Sequence, residues 1–351
     1  MLKIKYAPSF PKLLRQLNCS VIFSTYQMGK VIIVSPKNDS ELNQIPIALK
    51  KPMGIALNEN NLAIGTFDDV MIYSKSNQLA KTFPKEPNKY DQFFVPRAKL
   101  YTGGLDIHDL HYGNGGLWGV NTLFSCICKF DFKYNFTPKW MPRFITQVVP
   151  EDRCHLNGMA MLDGYPRYVT ALSQTNTAKG WKKIKLQSGV LIDVETNQVV
   201  SEGLSMPHAP RVVNGQVFFQ ESATGKISMY NPETKQTKVV AEIFEFIRGM
   251  RFHKNHIFIG LSKVRKSNSA FGDLPVREAS KRAGLKILSY PHFDTLSELY
   301  YNESVEEIYD VQVISNAQLP AIIQPYNEFH NQSVITPRFA FWKSKKENDN
   351  S

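Results

Sequence analysis

The apolar positions along the chain fall in short runs rich in Val, Ile, Phe and Tyr, separated by Asn, Gly, Asp and Pro. Such runs between turn signals predict strands, and little of the chain carries the spacing of an amphipathic helix. Three strand types recur in a fixed order. The first opens on a polar or Gly residue and runs into small and apolar ones: "MGIAL" at Met53, "HDLHY" at His108, "NGMAM" at Asn157, "APRVV" at Ala209, "RGMRF" at Arg248 and "YDVQV" at Tyr309. These starts lie about 40 to 60 residues apart, the period of propeller blades. A second type follows a short turn ("LAIGT", "LWGVN", "YVTAL", "VFFQE", "IFIGL"), and a third follows another gap ("VMIYS", "CICKFD", "VLIDV", "KISMYN", "LKILSY").

The remaining segments complete the count. "SVIFSTY" from Ser20 reads as a second strand and "KVIIVS" from Lys30 as a third, with no first strand before them. "YDVQV" is a first strand without clear successors. Joining the two makes one more blade and leaves few open strand edges. The expectation is an all-β, six-bladed β-propeller whose ring is closed by N-terminal strands joining a C-terminal inner strand. It occupies residues 20–336 as one domain, after a lead-in over 1–19 and before a polar, disordered tail over 337–351. Further strands within residues 324–337 would raise the count to seven blades.

In a propeller the first strand of each blade lines the central channel, and its starting end shares a face with the loop joining the second and third strands. That face gathers the polar residues. Asp106 and His108 begin one inner strand, His155 and Asn157 the next, and His208 and Arg248 begin two more; Glu306 and Glu307 precede the last. Residues two apart on a strand point the same way, so His108 and Asn157 occupy matching positions. Ends of second strands add Asn121 and Glu221. Such a convergence exceeds what loop capping needs, because buried charge without a partner is costly. It implies a bound ion, a polar ligand or an internal ion-pair network.

Two second-to-third loops are long, over residues 173–189 and 262–284, and both are basic. Long loops in compact folds are commonly functional. Lys263 and Arg265 lie in the second loop, and a short helix is expected over 274–282, with Asp273 as its cap. Trp181, in the first loop, is placed to close over a ligand. The net charge of +11 over 351 residues then reads as a basic rim that favours an anionic small molecule or acidic peptide. A protein partner remains open. Nucleic acid is disfavoured, since the basic residues flank a pocket and form no helix or aromatic-studded sheet.

The four cysteines, Cys19, Cys126, Cys128 and Cys154, form no CxxC pair and read as reduced thiols. No stretch reaches the roughly 18 apolar residues of a membrane span, and the first residues do not read as a signal peptide. The expectation is a cytoplasmic protein. No GxGxxG, Walker loop, GxSxG or HExxH occurs.

"STYQMGK", "DIHDL", "LWGVNTLFSC", "PEDRCHLNGMAM", "YVTALSQTNTAKGW", "GVLIDV", "GLSMPHAPR" and "EEIYDVQV" resemble the signature segments of a bacterial family of uncharacterised propeller proteins. That family is a domain of unknown function, sometimes attached to tetratricopeptide repeats. The resemblance spans residues 20–313 and implies a fold but no activity. "HLNGMAM" is also similar to an inner-strand segment of the regucalcin, gluconolactonase and strictosidine-synthase-like propellers. That remoter resemblance implies a divalent cation at the channel mouth, with Asn157 matching a ligand asparagine. With His108, His155, His208 and Glu307 in place of oxygen ligands, zinc, iron or manganese is favoured over calcium. The resulting expectation is metal-assisted hydrolysis or isomerisation of an anionic substrate. His108, His155 and Glu307 would act as catalytic groups, and Arg211, Arg248, Lys263 and Arg265 would hold the anion. The alternative is a non-catalytic propeller that binds a peptide, glycan or protein through its basic rim.

Overall fold

The computed structural model describes residues 2–264 and 272–343. Six sheets of antiparallel core stand side by side around a channel. Blade 1 is the clasp: Val311–Ser315 is its inner strand, paired with Cys19–Thr25, then Lys30–Pro36 and Leu42–Ala48. Blade 2 runs from Ile55–Leu57 through Asn61–Gly65 and Asp69–Ser76 to Gln92–Tyr101. Blade 3 opens with Ile107–Gly113, blade 4 with Leu156–Leu162, blade 5 with Pro207–Val213 and blade 6 with Phe246–His253. The inner strands are those expected from the repeat, and the count is six.

Residues 324–337 add no seventh blade. They hold the short helix Glu328–Gln332 and the strand Ser333–Ile335, which pairs with Ala340–Trp342. This hairpin packs on the outside of blade 2, where the Trp342 indole N–H donates to the Leu79 carbonyl at 3.0 Å. Phe83, Phe93, Phe329 and Trp342 pack ring against ring beneath it. The hairpin spans the boundary expected at 336/337; residues 344–351 of the expected tail lie outside the described residues.

Both end segments lie over the outer edges beside the clasp. Ile4–Tyr6 pairs with the outer strand of blade 6, Thr295–Tyr301, and Pro320–Ile322 pairs parallel with the outer strand of blade 2. The helix Ser9–Leu17 buries Phe10, Leu14 and Leu17 in a cluster shared with blades 6 and 1. Each fully buried apolar side chain of that size contributes about 1.5–3 kcal/mol.

Contacts between inner strands alternate around the ring. From blades 1, 3 and 5 a side chain reaches the next backbone. Asp310 accepts from Ile55 N–H at 2.8 Å, Asp109 accepts from Met159 N–H at 3.0 Å, and Arg211 Nε–H donates to the Met250 carbonyl at 3.1 Å. Blades 2, 4 and 6 instead meet their neighbour through a glycine. A Cβ on Gly54, Gly158 or Gly249 would lie 2.9 Å from Asp109 Cα, 2.5 Å from Pro210 Cδ or 2.7 Å from Val311 N. Close approach of backbones therefore narrows the channel at this level. All four cysteines are buried, and burial pushes the Cys19, Cys126 and Cys154 thiols up to about 12, so none is poised as a nucleophile.

Candidate functional site

The chain enters the inner strands of blades 2 to 5 through a left-handed residue. Lys51, Asp106, His155 and Met206 have φ of 47°, 52°, 51° and 54°. Each lies two residues before the position pointing into the channel: Met53, His108, Asn157 or His208. The bend turns the preceding carbonyl inward, and histidine exploits it twice. His108 Nδ1 lies 3.0 Å from the Asp106 carbonyl and His208 Nδ1 lies 2.8 Å from the Met206 carbonyl. A carbonyl only accepts, so both imidazoles carry their proton on Nδ1. Burial first, then nearby positive groups including Arg248, holds both histidines well below the ordinary imidazole range, and both are neutral.

At the mouth these entrances open on a cavity of about 440 Å³. His108, His155, Arg248, Lys263 and Glu307, all singled out in the sequence, line it together with Asp106, Tyr26, Met53, Phe246 and Tyr309. The His108 and His155 rings meet edge to face at 4.8 Å, and His108 meets Tyr309 in the same way at 5.4 Å. His155 Nδ1 lies 2.9 Å from Asp152 Oδ1, leaving Nε2 without a hydrogen bond among the described residues. Trp181 stands behind this pair. Its indole N–H donates to Asp152 Oδ2 at 2.9 Å and its ring lies 4.1 Å from that of His155. It is 4% exposed, so it orients the dyad and does not close over a ligand.

Arg248 is 8% exposed, and its guanidinium lies over the Tyr309 ring at 4.0 Å. It makes no ion pair or hydrogen bond among the described residues, and its Nε–H is a buried donor without an acceptor. Guanidinium is charged at any ordinary pH, so this is a buried cation facing a cavity. Lys263 differs, with its ammonium 3.8 Å from Glu306. Glu307 accepts from the Gln27 backbone N–H at 2.9 Å. Among the described residues the Asp106 carboxylate has no hydrogen bond or ion pair; burial, then the nearby Asp152, raises its pKa from the ordinary value.

Several expected residues do other work. Asn157 Nδ2 donates to His208 Nε2 at 2.7 Å, so both His208 nitrogens are engaged and no lone pair remains for a metal. His208 therefore drops out of the expected set His108, His155, Asn157, His208 and Glu307. Among the described residues no group of three or more His, Cys, Asp or Glu could hold a metal ion. Asn121 is fully buried and accepts from Phe124 N–H. Glu221 accepts from Ser205 N–H and the Ser228 hydroxyl. Both shape loops and do not line the cavity. Arg211 lies deeper, at the constriction, 3.4 Å from Asp109 and 3.9 Å from Asp310. Against its burial, His111 and Arg211 hold Asp109 down to about 2, while burial and Asp109 push Asp310 up to about 6. Arg211 thus plugs the channel. Arg265 lies outside the described residues.

The two long loops pack on each other. Leu172, Trp181, Met206, Ala223, Phe246, Val264, Leu274 and Val276 form one apolar cluster, and Lys185 lies 3.3 Å from Asp273. The expected helix over 274–282 is a series of turns, with Arg277 N–H on the Leu274 carbonyl and Ser280 N–H on that of Val276. The apolar side chains that would have faced outward on a helix instead point into this shared cluster.

Asp152, Tyr26 and Tyr309 were not selected from the sequence, and Asp106 was placed at the mouth without a role. Asp152 had a signal, as the carboxylate three residues before His155; Tyr26 and Tyr309 meet only through ring closure. Compared with known proteins, residues 8–323 match the family described as Domain of unknown function (DUF4915). No curated protein matches the chain. A chain from the crystal structure of a nidogen/laminin complex is similar at a TM-score of 0.53 and 10% identity, covering 85% of this chain and 99% of that one. A protein of unknown function from Bacteroides caccae is similar at 0.53 and 9%, covering 84% and 98%. At these identities the likeness concerns the propeller fold alone.

Proposed function

Because the chain belongs to the family described as Domain of unknown function (DUF4915), whose description names no activity, we propose a function from the channel mouth itself. The cavity binds a small organic anion, and His155 with His108 moves a proton on it. The observation that carries this reading is the unpaired, buried Arg248 on the same cavity wall as a His155–Asp152 dyad with a free Nε2. A buried cation without a counter-ion is costly to a fold, and an anionic ligand removes that cost. Asp152 fixes the His155 tautomer and stabilises the imidazolium formed when Nε2 accepts a proton.

The chemistry follows from these roles. Nε2 of His155 takes a proton from the carbon beside the ligand's carbonyl or carboxyl group. The electron pair moves onto the oxygen facing Arg248, where the guanidinium stabilises the developing charge. The proton returns from His155 to the same carbon or an adjacent one, or arrives from His108 if that group has been protonated. The outcome is isomerisation or solvent exchange. The cavity of about 440 Å³ suits a small molecule.

The test has two parts. Thermal-shift and calorimetric titration with short mono- and dicarboxylates should find ligands whose binding Arg248→Met weakens at least tenfold. Bound ligand in deuterium oxide should then take up solvent deuterium, read by NMR, and His155→Gln should abolish uptake without abolishing binding. If no carboxylate binds, or if binding ignores Arg248→Met, the reading is wrong.

A further inference from the structure

The cavity presents two charged side chains of opposite sign that make no ion pair with each other or with another side chain among the described residues. Arg248, over nine-tenths buried, has an Nε–H without an acceptor, and the half-buried Asp106 carboxylate on the same lining makes no hydrogen bond or ion pair among the described residues, with Lys51 and Lys179 acting on it only from a distance. The two belong to different blades: Asp106 begins blade 3 and Arg248 begins blade 6, three positions around the ring. His108 and Tyr309 stand in ring contact on that lining. Glu307 adds a second carboxylate, with one oxygen on the Gln27 N–H. An anion alone would satisfy Arg248 and leave Asp106 repelling it. A ligand carrying a carboxylate and an ammonium satisfies both. The apolar part of the wall, Met53, Phe246, Val264 and the faces of Tyr26 and Tyr309, leaves room for a side chain.

We propose that the ligand is a zwitterion of the amino-acid class, with its carboxylate on Arg248 and its ammonium on Asp106. This rests on the anion-binding reading above and narrows it. It also places the carbon bearing the ammonium group between the two charged anchors and beside His155 and His108, making its hydrogen the proton transferred. Abstraction by His155 Nε2 leaves the pair delocalised into the carboxylate on Arg248. Reprotonation from the same side regenerates the ligand, and from the opposite side inverts it.

The experiment compares matched probes on the full chain by calorimetry. Phenylalanine, leucine and glutamine, in both hands, are set against 3-phenylpropionate, 4-methylpentanoate and glutaramate, which lack only the ammonium group. At least one amino acid should bind about ten- to a hundred-fold more tightly than its deamino partner, the range of one charge-assisted hydrogen bond. Asp106→Asn should erase that preference while leaving carboxylate affinity intact or higher; asparagine suits the left-handed backbone there, and the variant's unfolding midpoint checks its fold. Arg248→Met should weaken both sets. If deamino acids bind through Arg248 but the ammonium adds nothing, or Asp106→Asn leaves the preference intact, the zwitterion proposal falls and anion binding stands. If neither set binds, both fall.

Discussion

Arg248→Met should make the ligand-free protein more stable. The unpaired Nε–H costs about 1–3 kcal/mol, the penalty of a buried donor without an acceptor. Holding the charge away from most of its water costs a few kcal/mol more. The Tyr309 ring, 4.0 Å from the guanidinium carbon, offsets about 2 kcal/mol of this. Methionine keeps an apolar stem against that ring and removes the charge, so the net gain is about 1–3 kcal/mol. With a urea slope of about 3 kcal/mol/M the unfolding midpoint rises by roughly 0.3–1 M. The assay is urea unfolding at pH 7.5 in buffer free of carboxylate, phosphate and sulfate. A bound ligand at a hundred times its Kd should return about 2.7 kcal/mol to the wild type and much less to the variant. A variant less stable than wild type without ligand would mean that Arg248 has a counter-charge, and the anion-site argument would collapse.

Two further predictions concern the ring. His108 and His208 are held neutral, so below the ordinary histidine pKa of about 6.5 the unfolded chain binds two protons that the fold does not. Asp310, pushed up to about 6, binds one in the fold first and cancels one of those two. His253, His256 and His330, also held low by burial, add to the deficit, and the raised Asp106 offsets part of it; stability should therefore fall as the pH drops from about 6 to 4.5, and a flat or rising profile in urea midpoints would contradict the assigned protonation states. Gly249→Ala should cost about 2–4 kcal/mol, because φ there is +72° and the added Cβ would lie 2.7 Å from Val311 N, on the clasp strand; an unfolding midpoint equal to wild type would show that the blade 6–blade 1 contact is not tight.

The propeller was legible because its signal is repetitive. Six inner-strand starts, five of them followed by two strands of fixed type, leave little choice of fold, and the orphan "YDVQV" together with the orphan "SVIFSTY" dictates the clasp. The strand Ile4–Tyr6 and the outer strand Pro320–Ile322 escaped notice, since three-residue edge strands carry too little pattern to register. In the site, face and level were legible but hydrogen-bond partners were not. His208 and His108 look alike in sequence, and only Asn157 on His208 Nε2 separates them. Arg211 and Arg248 both begin or enter inner strands, yet one is neutralised by Asp109 and Asp310 from other blades and the other, among the described residues, is not. Pairings across about 50 to 100 residues of sequence leave no local trace. The place of Trp181 in a long loop suggests a cover over a ligand, but its role depends on one indole N–H reaching Asp152.

The cavity sits at the seam of the ring. Tyr26 and Gln27 reach it from one side of the clasp, and Glu307 and Tyr309 from the other, with Gln27 N–H bonded to Glu307 across 280 residues of sequence. The proposed binding site therefore does not exist in any partly folded form in which blade 1 is open. Occupancy and closure become one event: a molecule in the cavity ties the two halves of the clasp together, and an opened seam releases it. Ligand then acts as a latch on the whole disk, and protection of the Val311–Ser315 amides from hydrogen exchange becomes a direct readout of whether the latch is set.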